Sequence, residues 1–206
     1  MNAFTKRGGI DGPAGRLSVA VDTIEGVPSR GLAVVCHPHP QHGGTMDNKV
    51  VQTVARALAQ RGWRTVRFDY RGVRESAGTY DEGRGETEDA LAVIAAHRVL
   101  GEPLVLGGFS FGGFIAANAA TKLPAAEQPL RMVLVGPSTA NFTVPAVPPE
   151  TLVIHGEHDD VVPLAATMDW ARPQALPVVV VPGAGHFFHG QLGLLKALVL
   201  DRKSVV

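Results

Sequence analysis

The sequence predicts an α/β protein built on a doubly wound, mostly parallel sheet with helices on both faces. Short apolar runs rich in β-branched residues recur along the 206-residue chain, and each ends in Gly, Pro, Asp or His. Helical patterns lie between these runs. Because the runs are apolar throughout, they are typical of strands that helices cover on both sides. Strands that alternate with helices form parallel, right-handed crossover units.

The order of the elements follows from where these runs fall. An antiparallel hairpin is predicted over residues 5–22, with its turn at DGPAG and its place at the sheet edge. Parallel strands are predicted within residues 31–38, 63–70, 103–110, 130–137, 151–157 and 177–183. Helices are predicted over residues 48–62, 86–100, 111–122, 164–172 and 190–200. The first helix ends at Gly62, a suitable residue just beyond a helix C-terminus, and the second carries acids in its first turn, where the helix dipole favours them.

The length and charge of the chain limit what it can be. We predict one domain over residues 1–206, because that length suits a single core. Lys and Arg number 19, as do Asp and Glu, so the chain has no basic field to hold nucleic acid or an anionic membrane. The N-terminal stretch does not resemble a signal peptide and Cys36 is the only cysteine, so we expect a cytoplasmic protein without an internal disulfide. A homo-oligomer stays open.

A G-x-S-x-G pattern falls between the strand predicted within 103–110 and the helix predicted over 111–122. Its members are Gly108, Ser110 and Gly112. The chain must turn so sharply there that the serine takes strained backbone angles and larger neighbours would collide with backbone, which favours the glycines. The serine hydroxyl then stands beside a helix N-terminus. The pattern predicts Ser110 as a nucleophile, and the alternative is a tight turn without chemistry.

A nucleophilic serine needs a base, and the base needs an acid to orient it. Asp159 and Asp160 follow the strand predicted within 151–157. Either of them could be the acid. We expect the other aspartate to cap the helix that Pro163 opens, which is a common position for aspartate.

The base is predicted on the loop after the last strand. His186 lies in that loop, and His189 follows one helical turn later in a helical pattern. A loop histidine that comes third, after the serine and the acid, matches the order of such catalytic sets, so we favour His186. His155 and His158 flank the acid and are predicted to be structural or solvated.

The stretch CHPHPQHGGT begins at Cys36 and holds three histidines directly after a predicted strand. Residues two apart on an extended segment point the same way and imidazole suits zinc, so a metal site is one interpretation. A zinc site of this kind needs a second group of ligands, and the chain has no recognisable one. We therefore favour a loop without a metal, whose backbone lies against a pocket. The possible pocket-lining residues are His37, His42, Gly43 and Gly44.

Several motifs together resemble the α/β-hydrolase fold superfamily over essentially the whole chain. GFSFGG, HGEHDD and GAGHFF occupy the three catalytic positions of that family in its order. CHPHPQHGGTMDNKVV and FDYRGVRESAGTYDEGRGETEDA are similar to small, lidless bacterial hydrolases of the dienelactone-hydrolase-like kind. The resemblance implies Ser110 as nucleophile, Asp159 as acid and His186 as base, in an ester hydrolysis without metal or organic cofactor. Dienelactone hydrolases carry cysteine at the nucleophile position, so the serine argues against their particular substrate.

The oxyanion of the tetrahedral intermediate in acyl transfer needs hydrogen-bond donors. The residue after the nucleophile, Phe111, supplies one from its backbone N–H. The second is expected from the segment after the strand predicted within 31–38. Pro38 and Pro40 have no N–H to give in that segment, so we predict the backbone N–H of His39 as the second donor.

The connection between the strands predicted within 130–137 and 151–157 is short, whereas many relatives insert a helical cap there. We therefore expect an open site that accepts small or extended acyl groups. The sequence predicts a serine hydrolase of the esterase type whose partner is a small-molecule acyl ester. A non-catalytic ligand-binding or sensor protein on the same fold is the alternative, and thioesterase and peptidase activities stay open.

Overall fold

A computed structural model describes residues 3–201, and eight strands within them form one sheet. The strand order is β1-β2-β4-β3-β5-β6-β7-β8. β1 and β2 form an antiparallel hairpin, β2 pairs antiparallel with β4, and every later pairing is parallel. The predicted sheet with its hairpin at the edge is thereby confirmed. The strands are β1 Ala3–Gly12, β2 Gly15–Ile24, β3 Leu32–Cys36, β4 Arg64–Phe68, β5 Leu104–Phe109, β6 Arg131–Val135, β7 Leu152–Gly156 and β8 Val178–Val181.

Five α-helices of the described chain connect or follow the strands, close to the predicted positions. Asn48 caps the first of them, since its side-chain oxygen accepts the N–H groups of Val50 and Val51. Gly62 follows its end with a φ of 87°, the left-handed conformation that glycine adopts easily. The helices are α1 Lys49–Gln60, α2 Arg84–His97, α3 Phe111–Lys122, α4 Leu164–Ala171 and α5 Leu192–Asp201.

The helices cover both faces of the sheet. α1 and α5 pack together on one face, and α2 and α3 pack together on the other. Leu58 and Phe109 are fully buried on the first face, and Phe68 and Ile115 on the second. Burying side chains of this size stabilises the fold by about 1.5–3 kcal/mol each. Two covered faces explain why the strands carry almost uninterrupted apolar runs.

The edge hairpin holds the loop that follows β4. Asp69 N–H donates to the Ser18 carbonyl at 2.9 Å, and Ala77 N–H donates to the Arg16 carbonyl at 2.8 Å. Ser76 Oγ accepts from Ser18 N–H and donates to the Asp69 carbonyl. These contacts fix the loop against β2, so the hairpin shapes the side of the molecule on which that loop lies.

The connection between β6 and β7, residues 136–151, contains no helix. It is held at intervals: Trp170 Nε1–H donates to the Val144 carbonyl at 3.0 Å, and Val147 N–H donates to Gln174 Oε1 at 2.9 Å. The expectation that no large cap stands over the sheet is therefore confirmed. No helix in residues 3–201 is both long and apolar enough to cross a membrane.

Candidate active site

Ser110 occupies the turn between β5 and α3. Its φ of 56° and ψ of −120° place a non-glycine residue in a strained backbone region, at a cost of about 1–3 kcal/mol. The turn is held on both sides, because Ser110 N–H donates to the Val135 carbonyl at 2.9 Å and Ser138 N–H donates to the Ser110 carbonyl at 3.2 Å. Ser110 is 7% exposed. The fold thus accepts backbone strain to hold this serine at the end of a central strand.

The two glycines of the G-x-S-x-G pattern allow that turn. A Cβ on Gly108 would overlap the Gly112 carbonyl, and a Cβ on Gly112 would overlap the Cys36 and His37 carbonyls. The absence of a Cβ on Gly108 lets β5 and α3 approach each other closely. The absence of a Cβ on Gly112 lets the segment after β3 lie directly against the beginning of α3, so that Ser110 and this segment share one edge of the sheet.

Asp159 and His186 are joined by a hydrogen bond of 2.7 Å from His186 Nδ1 to Asp159 Oδ2. The other oxygen, Asp159 Oδ1, accepts the backbone N–H groups of Val161 at 3.0 Å and Val162 at 2.7 Å. Burial raises the pKa of this carboxyl, but the hydrogen bonds from His186 and Val162 outweigh burial, so the pKa lies below its usual value. The Asp159 side chain is therefore an ionised, fixed partner for His186.

Asp160 is exposed and does not cap α4. The expectation that the aspartate not serving as the acid would cap this helix is therefore wrong. The residue at the cap position is Pro163, whose ring has no hydrogen-bond acceptor, so α4 begins without a side-chain cap. His189 also differs from its prediction: it is exposed on a turn before α5 rather than in a helix. The structure therefore brings Asp159 and His186 together and leaves Asp160 and His189 outside.

The backbone at Gly136 places this pair next to Ser110. A Cβ at Gly136 would sit 3.3 Å from Asp159 Oδ2 and 3.5 Å from the His186 ring, and the preceding residue, Val135, accepts the Ser110 N–H. The His186 ring also packs 4.8 Å from the ring of Phe109, the residue before Ser110. In the described part of the chain, neither Ser110 Oγ nor His186 Nε2 makes a hydrogen bond. Such contacts are often loose in enzymes without substrate and tighten when substrate binds.

His155 and His158, which flank the acid, are structural and solvated respectively, in agreement with the prediction. His158 is exposed. His155 is fully buried, and its Nε2 lies 2.9 Å from the Val162 carbonyl and 3.5 Å from Asp159 Oδ2. Burial lowers the pKa of His155, so the ring is neutral near neutral pH.

The side chains of the histidine-rich segment after β3 differ in their exposure. Cys36 and His37 are buried, His39 is half-buried and His42 is exposed. Burial raises the pKa of the Cys36 thiol to about 12 and lowers the pKa of His37 to about 3. Within residues 3–201, no three His, Cys, Asp or Glu side chains are grouped as metal ligands would be.

His37 does not line a pocket, and that prediction is wrong. Its side chain is fully enclosed, with Nδ1 2.6 Å from the Pro38 carbonyl and Nε2 accepting the Tyr70 N–H at 3.2 Å. A strand-like segment alternates its side chains, but the sequence could not show that this ring turns inward to bind backbone. His42 stacks on His39 at 4.6 Å between ring centres.

Two backbone N–H groups near Ser110 have no acceptor among the residues that the structure describes. One belongs to Phe111, at the N-terminus of α3, and the other to His39. The rings of these two residues lie 4.8 Å apart, so the segment after β3 and the beginning of α3 are in direct contact. His39 Nε2 also lies 3.1 Å from the Tyr80 hydroxyl.

A cavity of about 420 Å³ adjoins this segment on the side of the loop after β4. Gly43 and Gly44 line it, as do Arg74 and Tyr80. Around this cavity the charges are paired: Arg74 binds Asp47 and Asp69, and Arg71 binds Asp89 through two of its nitrogens. The cavity is thus lined by glycine backbone, an aromatic ring and arginines whose charges are balanced by aspartates.

Two aromatic residues of the site were missed from the sequence. Tyr80 lies in the loop after β4, and Phe142 lies in the connection between β6 and β7, with its ring 5.2 Å from Phe111 and 4.7 Å from Phe114. Both sit in irregular segments, where no periodicity predicts the direction of a side chain.

Comparisons with known proteins identify the family and the fold. Residues 29–147 match the family model described as serine aminopeptidase, S33. A solved structure from Xanthomonas campestris, described as an α/β serine hydrolase without a lid, is 38% identical with a TM-score of 0.86, over 96% of this chain and 94% of that one. An α/β serine hydrolase homologue from Coxiella burnetii is 38% identical with a TM-score of 0.84, over 96% and 97%. An uncharacterized protein of Rickettsia prowazekii is 28% identical over 192 residues, which are 86% of this chain and 80% of that one.

Proposed function

Because this chain belongs to the α/β serine hydrolases, we propose that it hydrolyses carboxylic esters through an acyl-enzyme formed on Ser110. Family membership makes it a hydrolase. The observation that carries the finer proposal is the 2.7 Å hydrogen bond between His186 and Asp159, at the same sheet edge as the strained Ser110. Ser110, His186 and Asp159 then act as nucleophile, base and orienting acid.

In the first step, Ser110 Oγ attacks the carbonyl carbon of the ester and its proton passes to His186 Nε2. Asp159 accepts the His186 Nδ1–H, which fixes the tautomer that leaves Nε2 free to take the proton. The protonated imidazole then lies beside a carboxylate whose pKa is held low, so the new positive charge is stabilised. His186 returns the proton to the alkoxide as the C–O bond breaks, and the alcohol leaves.

The oxyanion of the tetrahedral intermediate is stabilised by the backbone N–H groups of Phe111 and His39. Removing one such donor slows comparable enzymes about 10²–10³-fold. Both groups lack an acceptor within the described residues, so they are free to bind an oxygen without breaking a bond of the protein. In the second step a water molecule gives a proton to His186 and attacks the carbonyl carbon of the acyl-enzyme. His186 then returns the proton to Ser110 Oγ as the bond from Oγ to the acyl carbon breaks, and the acid is released.

The ion pairs beside the cavity favour an ester over the amino-terminal peptide that the family description would suggest. An aminopeptidase needs a carboxylate that faces the ammonium group of its substrate. Beside the cavity, Asp47, Asp69 and Asp89 are already bound to arginines. The connection 136–151 adds no helical cap, which supports a site open to small or extended acyl groups.

A fluorophosphonate probe tests the proposal, because it phosphonylates only an activated serine. We expect stoichiometric labelling of the wild-type protein, and hydrolysis of a short-chain aryl ester that persists in the presence of a chelator. Ser110→Ala is the control, and it should lose both label and activity. A folded wild-type protein that takes no label and cleaves no ester, thioester or lactone would favour the non-catalytic binding protein instead.

A further inference from the structure

We propose that His37 is a positioning residue that turns the His39 N–H toward the oxyanion. The inference rests on the proposed function, since it concerns the donor that the ester mechanism uses. His37 itself is fully buried and touches no reacting atom. It acts through the peptide bond between Pro38 and His39.

The His37 ring is held rigidly by Tyr70. Tyr70 N–H donates to His37 Nε2 at 3.2 Å, and the Tyr70 hydroxyl donates to the His37 carbonyl at 3.2 Å. The two rings also pack with their centres 4.1 Å apart. One residue therefore fixes both the backbone and the side chain of His37, and the ring has one orientation available.

These contacts determine where the proton of the ring lies. Because the Tyr70 N–H donates to Nε2, Nε2 is an acceptor, and the hydrogen of the neutral ring is on Nδ1. Nδ1–H then donates to the Pro38 carbonyl at 2.6 Å. A carbonyl oxygen only accepts, so both contacts are satisfied by this tautomer alone. Burial lowers the pKa of His37 to about 3, which keeps the ring neutral at working pH.

The hydrogen bond to Pro38 sets the direction of the next N–H. A trans peptide unit is planar, with its C=O and N–H pointing to opposite sides, and no cis peptide occurs in the described residues. The Pro38 carbonyl is directed at the buried His37 ring, so the His39 N–H points away from the core. It has no acceptor within residues 3–201, and the His39 ring contacts Phe111, the residue that carries the other donor.

The segment has few other means of holding this peptide. Pro38 and Pro40 lack an N–H and cannot join a ladder of backbone hydrogen bonds. Gly44 supports the far side: its N–H donates to the His39 carbonyl at 3.0 Å, and a Cβ there would overlap the Pro38 carbonyl. If the peptide flipped, the Pro38 oxygen would face the oxyanion, removing one donor and adding a repulsion.

Two substitutions separate this role from simple packing. The side-chain amide that His37→Asn introduces stands near the position of Nδ1 and can still donate to the Pro38 carbonyl, whereas His37→Gln extends its amide toward the position of Nε2. We expect kcat of His37→Gln on an aryl ester to fall 10²–10³-fold with KM nearly unchanged, and His37→Asn to keep kcat within about tenfold of wild type. The affinity of an alkyl boronic acid, whose tetrahedral adduct places an oxyanion at the same donors, should fall in parallel with kcat.

Nuclear magnetic resonance of the wild-type protein tests the same idea without a substitution, in case the variants do not fold. We expect the His39 amide proton to shift downfield when the boronic acid binds, and nitrogen-15 histidine spectra to show His37 as the neutral Nδ1–H tautomer. An unmoved His39 amide, the other tautomer, or a His37→Gln variant as active as wild type would each overturn the inference. A wild-type protein that binds no boronic acid and takes no fluorophosphonate would instead overturn the proposed function.

Discussion

Asp159 uses its two carboxylate oxygens for two different tasks. Oδ2 binds His186, while Oδ1 binds the N–H groups of Val161 and Val162. The backbone bonds fix the carboxylate in place and lower its proton affinity, and the fixed carboxylate in turn orients the imidazole. The local loop and the proposed base are therefore stabilised by the same side chain.

Asp159→Asn should leave the fold intact but remove the correct orientation of His186. The amide can still accept from one partner, yet its NH₂ group favours the wrong imidazole tautomer. We expect kcat for an aryl ester to fall on the order of 10⁴-fold, as for the corresponding change in other triads. Asp160→Asn is the matched control, because Asp160 is exposed, and its kcat should stay within about twofold of wild type. Equal losses in the two variants would contradict the assignment of the acid.

At the scale of elements, the close contact between α3 and the end of β3 depends on one missing side chain. A Cβ on Gly112 would overlap two backbone carbonyls, which cannot swing aside as a flexible side chain would. Gly112→Ala should therefore lower the free energy of unfolding by about 1–3 kcal/mol, the usual cost of overpacking.

Gly193→Ala provides the control for that measurement. Gly193 is exposed in α5 and a Cβ there meets no atom within 4 Å. Because alanine is the better helix former, we expect the free energy of unfolding to rise by up to about 1 kcal/mol. Urea denaturation of both variants checks the pair. A Gly112→Ala protein as stable as wild type would mean that α3 can move away from the end of β3 without a cost in stability.

The elements could be predicted well because their signals are local and repeated. The strand runs, the Gly62 terminus and the G-x-S-x-G turn each depend on a few neighbouring residues. The beginning of α2 was predicted at residue 86, two residues late, because Glu86 is not its first residue: its carboxylate reaches back to the N–H groups of Asp81 and Gly83. An acid in the first turn indicates a helix, but its exact position depends on that capping contact.

The site was less accessible to sequence reasoning, for a physical reason. The order and spacing of the motifs predict Ser110, Asp159 and His186, and the structure brings these residues to one edge of the sheet. The inward turn of His37 and the contact of His39 with Tyr80 depend on how two irregular loops pack against each other. Such contacts join residues far apart in sequence and leave no periodic pattern.

For the whole molecule, buried neutral histidines make stability depend on pH. Burial lowers the pKa of His37 from 6.5 to about 3 and also lowers the pKa of His155. Between pH 6.5 and 3 the unfolded chain therefore binds protons at His37 that the folded chain does not bind. The free energy of unfolding is therefore highest above pH 6.5, where His37 is neutral in both states, and it decreases as the pH falls towards 3. Asp159 acts in the same direction at lower pH, because its folded pKa is also depressed.

We expect the free energy of unfolding to fall with decreasing pH below 6.5, by up to about 1.4 kcal/mol per pH unit from His37, and His155 adds to the fall in the same direction. Urea denaturation at a series of pH values between 7.5 and 4.5 measures this slope. His37→Asn should show a slope shallower by about one proton, because an amide does not titrate. Identical slopes in the two proteins would show that His37 is not the group that resists protonation.

The helix-free connection 136–151 has a consequence for engineering. Its fixed points at Val144 and Val147 lie on one side of an exposed stretch around Ala140 and Asn141, and Ser138 is tied to Ser110 on the other. A foreign hairpin or small domain spliced between Ala140 and Asn141 would leave every strand pairing in place. We expect such insertions to change which substrates the protein accepts, while the sheet and the edge that carries Ser110, Asp159 and His186 are kept.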